Sequence, residues 1–397
     1  MKLYITTIAI FMVTAIHAQD KKLKEISTEV NVTKEATIRI VNVGRNINIK
    51  TWAQPKVKLT TNLLDEEQDK NKTEEEWWSY LNISVKAFSN RVEINSRGSA
   101  TFSGCSTCPN SWSQGYSNTS NFYSSSNSSN DNNKTKGVRK RVLEIIVPEG
   151  SKLDIDSKGS DIVLNNNADE LILDISNTTV DARDVKKLRL RSRFSTVNFL
   201  NINTAEVEFE NGTFKASDIT DLDIDSKTST VEFENGKYVY IRSQNDNYSI
   251  ESIDKIEGRK LYGEMRIETL NNKIDIEGNN ADIKIHNLSN EVELVKLNNK
   301  YADIRLPVKN LKNYEVNFYG LYSTVFTPFE KIPVKKDEDE KEAKGEKNVT
   351  ATSQTASGLS NCNGKPSPLK FTGSVGDVKG KHTRFELVCH SCTVDFK

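Results

Sequence analysis

Two short cysteine motifs are the first residues whose spacing suggests chemistry. They are Cys105-Ser-Thr-Cys108 and Cys389-His-Ser-Cys392, with Cys362 standing alone. Cysteines three positions apart can form disulfides or supply thiolates to zinc. In an oxidising compartment disulfides are the default, and an odd count leaves one thiol over or bridging two chains. Cys105, Cys108, Cys389 and Cys392 are therefore the disulfide candidates, with a four-thiolate zinc site and free thiols as the alternatives. Neither pair opens a recognisable helix that would lower a thiol pKa, which disfavours redox catalysis.

Carboxylates form the second group. Glu208 and Glu210, then Asp223 and Asp225, hold outward positions on the first strands of successive repeats, so they stack without an intervening base. Stacked, they make a candidate weak calcium site, against the plainer reading of a solubilising face. A polysaccharide lyase or hydrolase would need clustered carboxylates and a base in one groove. Beyond the first eighteen residues the histidines are His286, His382 and His390. His286 reads as outward on a strand, His382 as a loop residue, and His390 as a corner residue between two cysteines. Nucleophile-elbow, zinc-helix and phosphate-loop motifs do not occur, so no catalytic residue, resident metal or cofactor is expected.

Aromatic residues form the third. Phe102, Trp112, Tyr116, Phe122 and Tyr123 lie in a Ser- and Asn-dense stretch, residues 97–137. Such a mixture resembles adaptable binding loops, with rigid aromatic anchors among short polar groups. The alternative is a solvated loop with local aromatic packing. Trp77 and Trp78 either stack on sugar rings or, the favoured reading, cap an open core.

The elements that position these residues show as a repeat. Leu153-x-Ile155, Ser157-Lys-Gly-Ser160 and Ile162-x-Leu164 make one frame. It returns as Leu188-x-Leu190, Ser192-Arg-Phe-Ser195, Val197-x-Phe199, and as Leu222-x-Ile224, Ser226-Lys-Thr-Ser229, Val231-x-Phe233. Relaxed copies start at Ile274 and Val316, and the last begins at Phe385, where the Cys389–Cys392 motif occupies the corner. Fuzzier copies start at Leu171, Val207, Val239, Ile256 and Val292, so that starts from Leu153 to Val292 fall 15 to 19 residues apart. Alternation over a few residues gives short strands with apolar side chains on one face, and the small or polar tetrad between them is a corner. Val185, Ile219, Ile253, Leu270 and Leu288 supply a third inward position. The fold class expected is all-β, a single-stranded β-solenoid of 15–19-residue coils with two polar insertions; a β-sandwich is the alternative.

Composition bounds the function. The 397 residues carry 55 basic and 55 acidic side chains, which removes the electrostatic footprint of nucleic-acid binding. Only 36% are hydrophobic, which suits a narrow core diluted by polar insertions. Residues 1–18 combine Lys2, an apolar run from Leu3 to Ile16, and Ala18, and read as a signal peptide with export to the periplasm, cell surface or medium. Nothing later is apolar enough for a membrane span.

The order Gly44-Arg-Asn-Ile47-Asn-Ile49-x-x-Trp52 with Pro55-x-Val57-x-Leu59, then Ile145-Ile-Val147-Pro148-x-Gly150-x-x-Leu153-x-Ile155, resembles the bacterial "putative adhesin" family of short-coil β-solenoids in exported and cell-envelope proteins. The resemblance covers about 38 to 327 and 371 to 396, and implies no catalytic residues. The layout expected is a signal peptide (1–18), an N-terminal β part (19–150) bearing the 97–137 insertion, and regular repeats (151–331). A charged and Ser/Thr-rich insertion (332–370) and a terminal coil (371–397) follow. The expected function is a non-catalytic exported surface for adhesion or envelope interactions, with an unknown protein or glycan as partner. A self-assembling envelope protein joined through its solenoid ends, and a carbohydrate-active enzyme, are the alternatives.

Overall fold

The computed structural model describes residues 24–33, 36–63, 71–88, 90–98, 142–334 and 368–397. Among them, 24 strands join in one hydrogen-bonded sheet beside one helix. The expected signal peptide, Cys105, Cys108, Cys362 and the aromatics Trp112, Tyr116, Phe122 and Tyr123 lie outside the described residues.

With strands numbered in chain order, the regular part runs through β8 (Lys152–Lys158), β9 (Asp161–Leu164), β10 (Ala168–Ser176), β11 (Thr179–Ala182), β12 (Val185–Arg193), β13 (Thr196–Glu210), β14 (Thr213–Lys227), β15 (Thr230–Gln244) and β16 (Asn247–Leu288). Each turn of chain pairs in parallel with the next. Leu171 faces Leu188, then Ala205, Leu222, Val239 and Ile256 in succession, one residue every 17 along the chain. Every side chain in that row is buried. The sequence frame puts Val207 at this position, whereas Val207 pairs with Leu190 and the smaller Ala205 holds the row. A methyl group gives a weak apolar signal, so the larger neighbour two residues on, which faces the same side, captures the frame. Val292 is displaced likewise, since Ile274 pairs with Val295. The third inward row holds as Val185, Ile202, Ile219, Gly236 and Ile253.

Strands before this part are β1 (Glu25–Asn31), β2 (Thr37–Val43), β3 (Asn46–Trp52), β4 (Lys56–Asn62), β5 (Ile83–Ala87), β6 (Arg91–Arg97) and β7 (Val142–Pro148). Chain order and stacking order part company here. β2 sits between β8 and β6, and β3 between β9 and β7, all in parallel. Beyond them the direction reverses, with β5 antiparallel on β6 and β4 antiparallel on both β7 and β1. The helix α1 (Glu74–Tyr80) starts at Thr73, whose hydroxyl accepts from Glu76 N while the Glu76 carboxylate accepts from Thr73 N. This reciprocal cap settles the start of a charged seven-residue helix. Trp77 is buried and Trp78 half-buried against the core, which is the capping role.

The far end repeats the device with β17 (Leu294–Lys300), β18 (Asp303–Leu306), β19 (Tyr314–Leu321), β20 (Thr324–Phe326), β21 (Ile332–Pro333), β22 (Leu369–Val375), β23 (Thr383–His390) and β24 (Thr393–Phe396). β23 lies between β17 and β19, and β24 between β18 and β20, in parallel. This corrects the expectation of a terminal coil at 371–397. Its second half slides inward by one place, while β22 turns antiparallel and covers β19. Phe318 and Phe371 stack there with centroids 5.0 Å apart. Antiparallel strands therefore cover the parallel stack at both ends, which blunts the edges that end-to-end assembly would use.

Candidate interaction edge

One corner recurs along the stack from β2 to β19, with a left-handed backbone at one residue. In stacking order the left-handed residues of this corner are Gly44, Gly159, Asn177, Phe194, Asn211, Thr228, Asn245, Tyr262, Asn280, Tyr301, Ser391 and Tyr322. Glycine and asparagine tolerate this conformation best. The row is held by a backbone ladder, in which the N–H groups of nine corners, from Gly44 to Asn245 and at Tyr301 and Ser391, donate to the next turn. Phe194 N reaches Glu210 O at 3.0 Å, Tyr301 N reaches His390 O at 2.9 Å, and Ser391 N reaches Leu321 O at 2.8 Å.

Beneath the corners runs a buried polar column. The Ser157 and Ser160 hydroxyls lie 2.7 Å apart, and Asn42 Nδ2 donates to Ser157 Oγ and to Arg45 O. Farther along, the Asp246 carboxylate accepts from Ser226 Oγ (2.8 Å), Ser243 Oγ (2.8 Å), Ser229 N (2.7 Å) and Gln244 N (3.0 Å). Lys260 Nζ donates to Asp246 O at 2.6 Å and to Tyr262 O at 3.1 Å, so a buried ammonium grips a left-handed corner from inside. Desolvation pulls the Lys260 pKa down to about 8. Tyr248, whose hydroxyl lies 2.6 Å from Ser226 Oγ, is pushed up by the same burial. Such groups are tolerated inside because each is hydrogen-bonded.

Cys389 and Cys392 take the two inward positions that serines hold in other corners. Both are buried free thiols. Cys392 Sγ lies 3.3 Å from Asn299 O, and Cys392 N donates to Ser323 Oγ at 3.1 Å. The hydrogen bond from the Cys389 thiol lowers the Cys392 pKa and raises that of Cys389.

On the outside, four corners depart from the small polar type. Phe194 is 60% exposed, Tyr262 46%, Tyr301 55% and Tyr322 65%. Counted along the stack, Tyr262, Tyr301 and Tyr322 occupy alternate turns, with Asn280 and Ser391 between them, and Phe194 lies four turns before Tyr262. The His390 ring stands edge-on between Tyr301 and Tyr322, 5.7 Å from each centroid. The stem of the Ser/Asn-rich insertion enters at the same edge. Gly98 meets Gly44 there so closely that a Cβ would lie 2.6 Å from Gly44 O.

The calcium candidates do not converge. Arg191 takes Glu208 at 2.8 Å, Arg193 takes Glu210 at 3.4 Å, and Arg242 takes Asp223 at 2.6 Å and Asp225 at 3.5 Å. The bases absent between the two acidic turns stand on their outer sides. Among the described residues no group of three or more His, Cys, Asp or Glu side chains is arranged to hold a metal ion. His286 and Glu268 pair at 3.0 Å on the outer surface, far in sequence from the corner motif of His390. The sequence frame does not single out the aromatic row, although one of its corners, Ser192-Arg-Phe-Ser195, carries Phe194 and the relaxed copy that starts at Val316 carries Tyr322. The signal was the bulky third residue in a tetrad otherwise read as small or polar.

No protein-family model matches the chain. No curated protein matches it either. Among solved structures, the chain is similar to a "putative lipid binding protein" from Parabacteroides distasonis at TM-score 0.33 and 10% identity, over 70% of this chain and 95% of that one. A "putative adhesin" from the same organism matches at TM-score 0.26 and 12% identity, over 71% and 97%. A "putative cell adhesion protein" from Clostridium sporogenes matches at TM-score 0.17 and 11% identity, over 95% and 100%. At these TM-scores the likeness carries no argument about function. Among the described residues no helix is long and apolar enough to cross a membrane.

Proposed function

We propose that the chain is a β-solenoid that serves as a non-catalytic, adhesin-type interaction surface of the bacterial envelope. The observation that carries this reading is the parallel register that runs from β8 into β16 and again from β16 through β17 and β23 to β19, which lines up equivalent outward residues turn after turn. Stacked repeats build long ordered surfaces of this kind, and solenoids characteristically bind along them. The leader-like residues 1–18 support export. In this layout the described strands on either side of residues 99–141 and 335–367 belong to one sheet.

Cell fractionation tests the reading. The native chain is expected in the envelope or medium and accessible to a membrane-impermeant amine reagent on intact cells. Recovery in the cytoplasm, with labelling only after lysis, overturns it.

A further inference from the structure

We propose that the corner row Tyr262, Asn280, Tyr301, Ser391, Tyr322, with His390 between the last two tyrosines, binds an extended, uncharged polysaccharide; this rests on the interaction-surface reading above.

Backbone conformation gives the first reason. Tyr262, Tyr301 and Tyr322 hold φ values of 61°, 55° and 54°, and Phe194 holds 52°. A left-handed residue other than glycine costs roughly 1–2 kcal/mol, least for asparagine. Asparagine occupies equivalent corners at Asn177, Asn211, Asn245 and Asn280, so the cheaper residue fits the same backbone. The tyrosines thus combine strain with exposed aromatic area, and neither favours folding. Strain of this kind collects at functional positions.

Spacing gives the second. Adjacent strands lie about 4.8 Å apart, so alternate turns set the tyrosines about 9.5 Å apart in a straight row. That separation is near the length of two pyranose residues in an extended β-linked chain, so each ring can meet every second sugar. The intervening positions carry small polar groups. Asn280 and Ser391 lie on the row, and the exposed Thr324 and Thr393 open the strands beside it.

Chemistry gives the third. A pyranose offers an apolar C–H face and a rim of hydroxyls, and tyrosine offers an aromatic face with a polar tip. The His390 ring stands edge-on between Tyr301 and Tyr322, so that three rings follow one another across three turns with their planes steeply inclined to each other. Lys300 and Asp303 flank Tyr301 with opposite charges and Asp282 adjoins Asp303, a balance that does not favour a polyanion. A lipid surface would call for a broad apolar face with flanking bases rather than single rings at alternate turns.

The test uses the full chain and a Tyr301→Asn/Tyr322→Asn variant, which places in both corners the residue found at Asn280. Gel mobility is measured in the presence of soluble xylan, β-mannan and hydroxyethylcellulose, together with thermal melting and sedimentation. At least one polysaccharide is expected to retard the native chain. The double variant should weaken that binding tenfold or more without a lower melting temperature, and Tyr322→Trp should retain it. Equal retardation of native and double variant overturns the proposal, as does a native chain that none of the three retards. A native dimer that the variant converts to monomer also overturns it, assigning the row to a second copy. Pull-down on isolated envelopes separates the two readings. Equal envelope binding by native and variant removes the polysaccharide site and keeps the interaction surface, while absence of native binding to envelopes and to all three polysaccharides removes both.

Discussion

Lys260 shows how a single residue ties the core to the outer edge. Its side chain is fully buried, and its ammonium holds both the Asp246 and Tyr262 carbonyls. The corner beside it has no room to spare, because Gly263 sits at φ 82° and a Cβ there would lie 2.2 Å from Asp246 O. Burial lowers the Lys260 pKa from 10.5 to about 8. Between those values the unfolded chain binds a proton that the folded chain does not, so this residue's contribution to stability rises with pH across the window. Below about 8 both states are protonated and the burial cost is present in full. Lys260→Met removes the titration while keeping much of the volume. The difference in melting temperature between native and variant should therefore shift in favour of the native chain by several degrees from pH 7.5 to pH 10.5. A difference independent of pH would remove the titration from the account. None of this network was legible in the sequence, because Lys260 stands where the repeat elsewhere has serine and the frame around Ile256 is one of the fuzzy copies.

At the scale of the element, the last two strands matter more than their position in the chain suggests. Leu387 is buried, and β23 gives backbone hydrogen bonds to β17 on one side and β19 on the other. Removing a terminal coil would expose one edge, whereas removing an inserted one opens a gap between two. Leu387→Asp places an unpaired charge in that gap and should lower the melting temperature by at least about 5 °C. Limited proteolysis should then cut within 369–397 before it cuts the regular strands between Lys152 and Lys227. Matching proteolysis of native and variant would contradict the inserted placement. Alternation of Phe385, Leu387, Val394 and Phe396 identified these strands from sequence alone. Their place in the stack did not follow, since periodicity reports which face a residue takes and carries no information about which turn lies next to which.

At the scale of the whole molecule, the described strands that pair in parallel each contact chiefly their neighbours in the sheet, as in a stack whose stability is summed over neighbouring layers. Its inward rows are narrow: Ile274 and Val295 fill one position in two consecutive layers, and Ile276 and Leu297 the position two residues on. Outward pairs such as Arg189 with Glu206 and Arg259 with Glu277 are exposed, and each adds at most about 1 kcal/mol. Stability must therefore lie in the inward rows, where full burial of each branched side chain contributes roughly 1.5–3 kcal/mol. A defect in one layer also weakens the two layers that stack on it, because neither can bury its inner face alone. Ile276 lies in β16 directly against β17, with the inserted coil next beyond. Ile276→Asp should lower the melting temperature by more than about 5 °C and increase hydrogen exchange from β16 to β19, with the layers around Leu171 less affected. The same substitution at the exposed Glu277 neighbour, Glu277→Asp, should leave the melt within about 1 °C. An unchanged melt for Ile276→Asp would put that side chain outside the core and break the register on which the tyrosine row also depends.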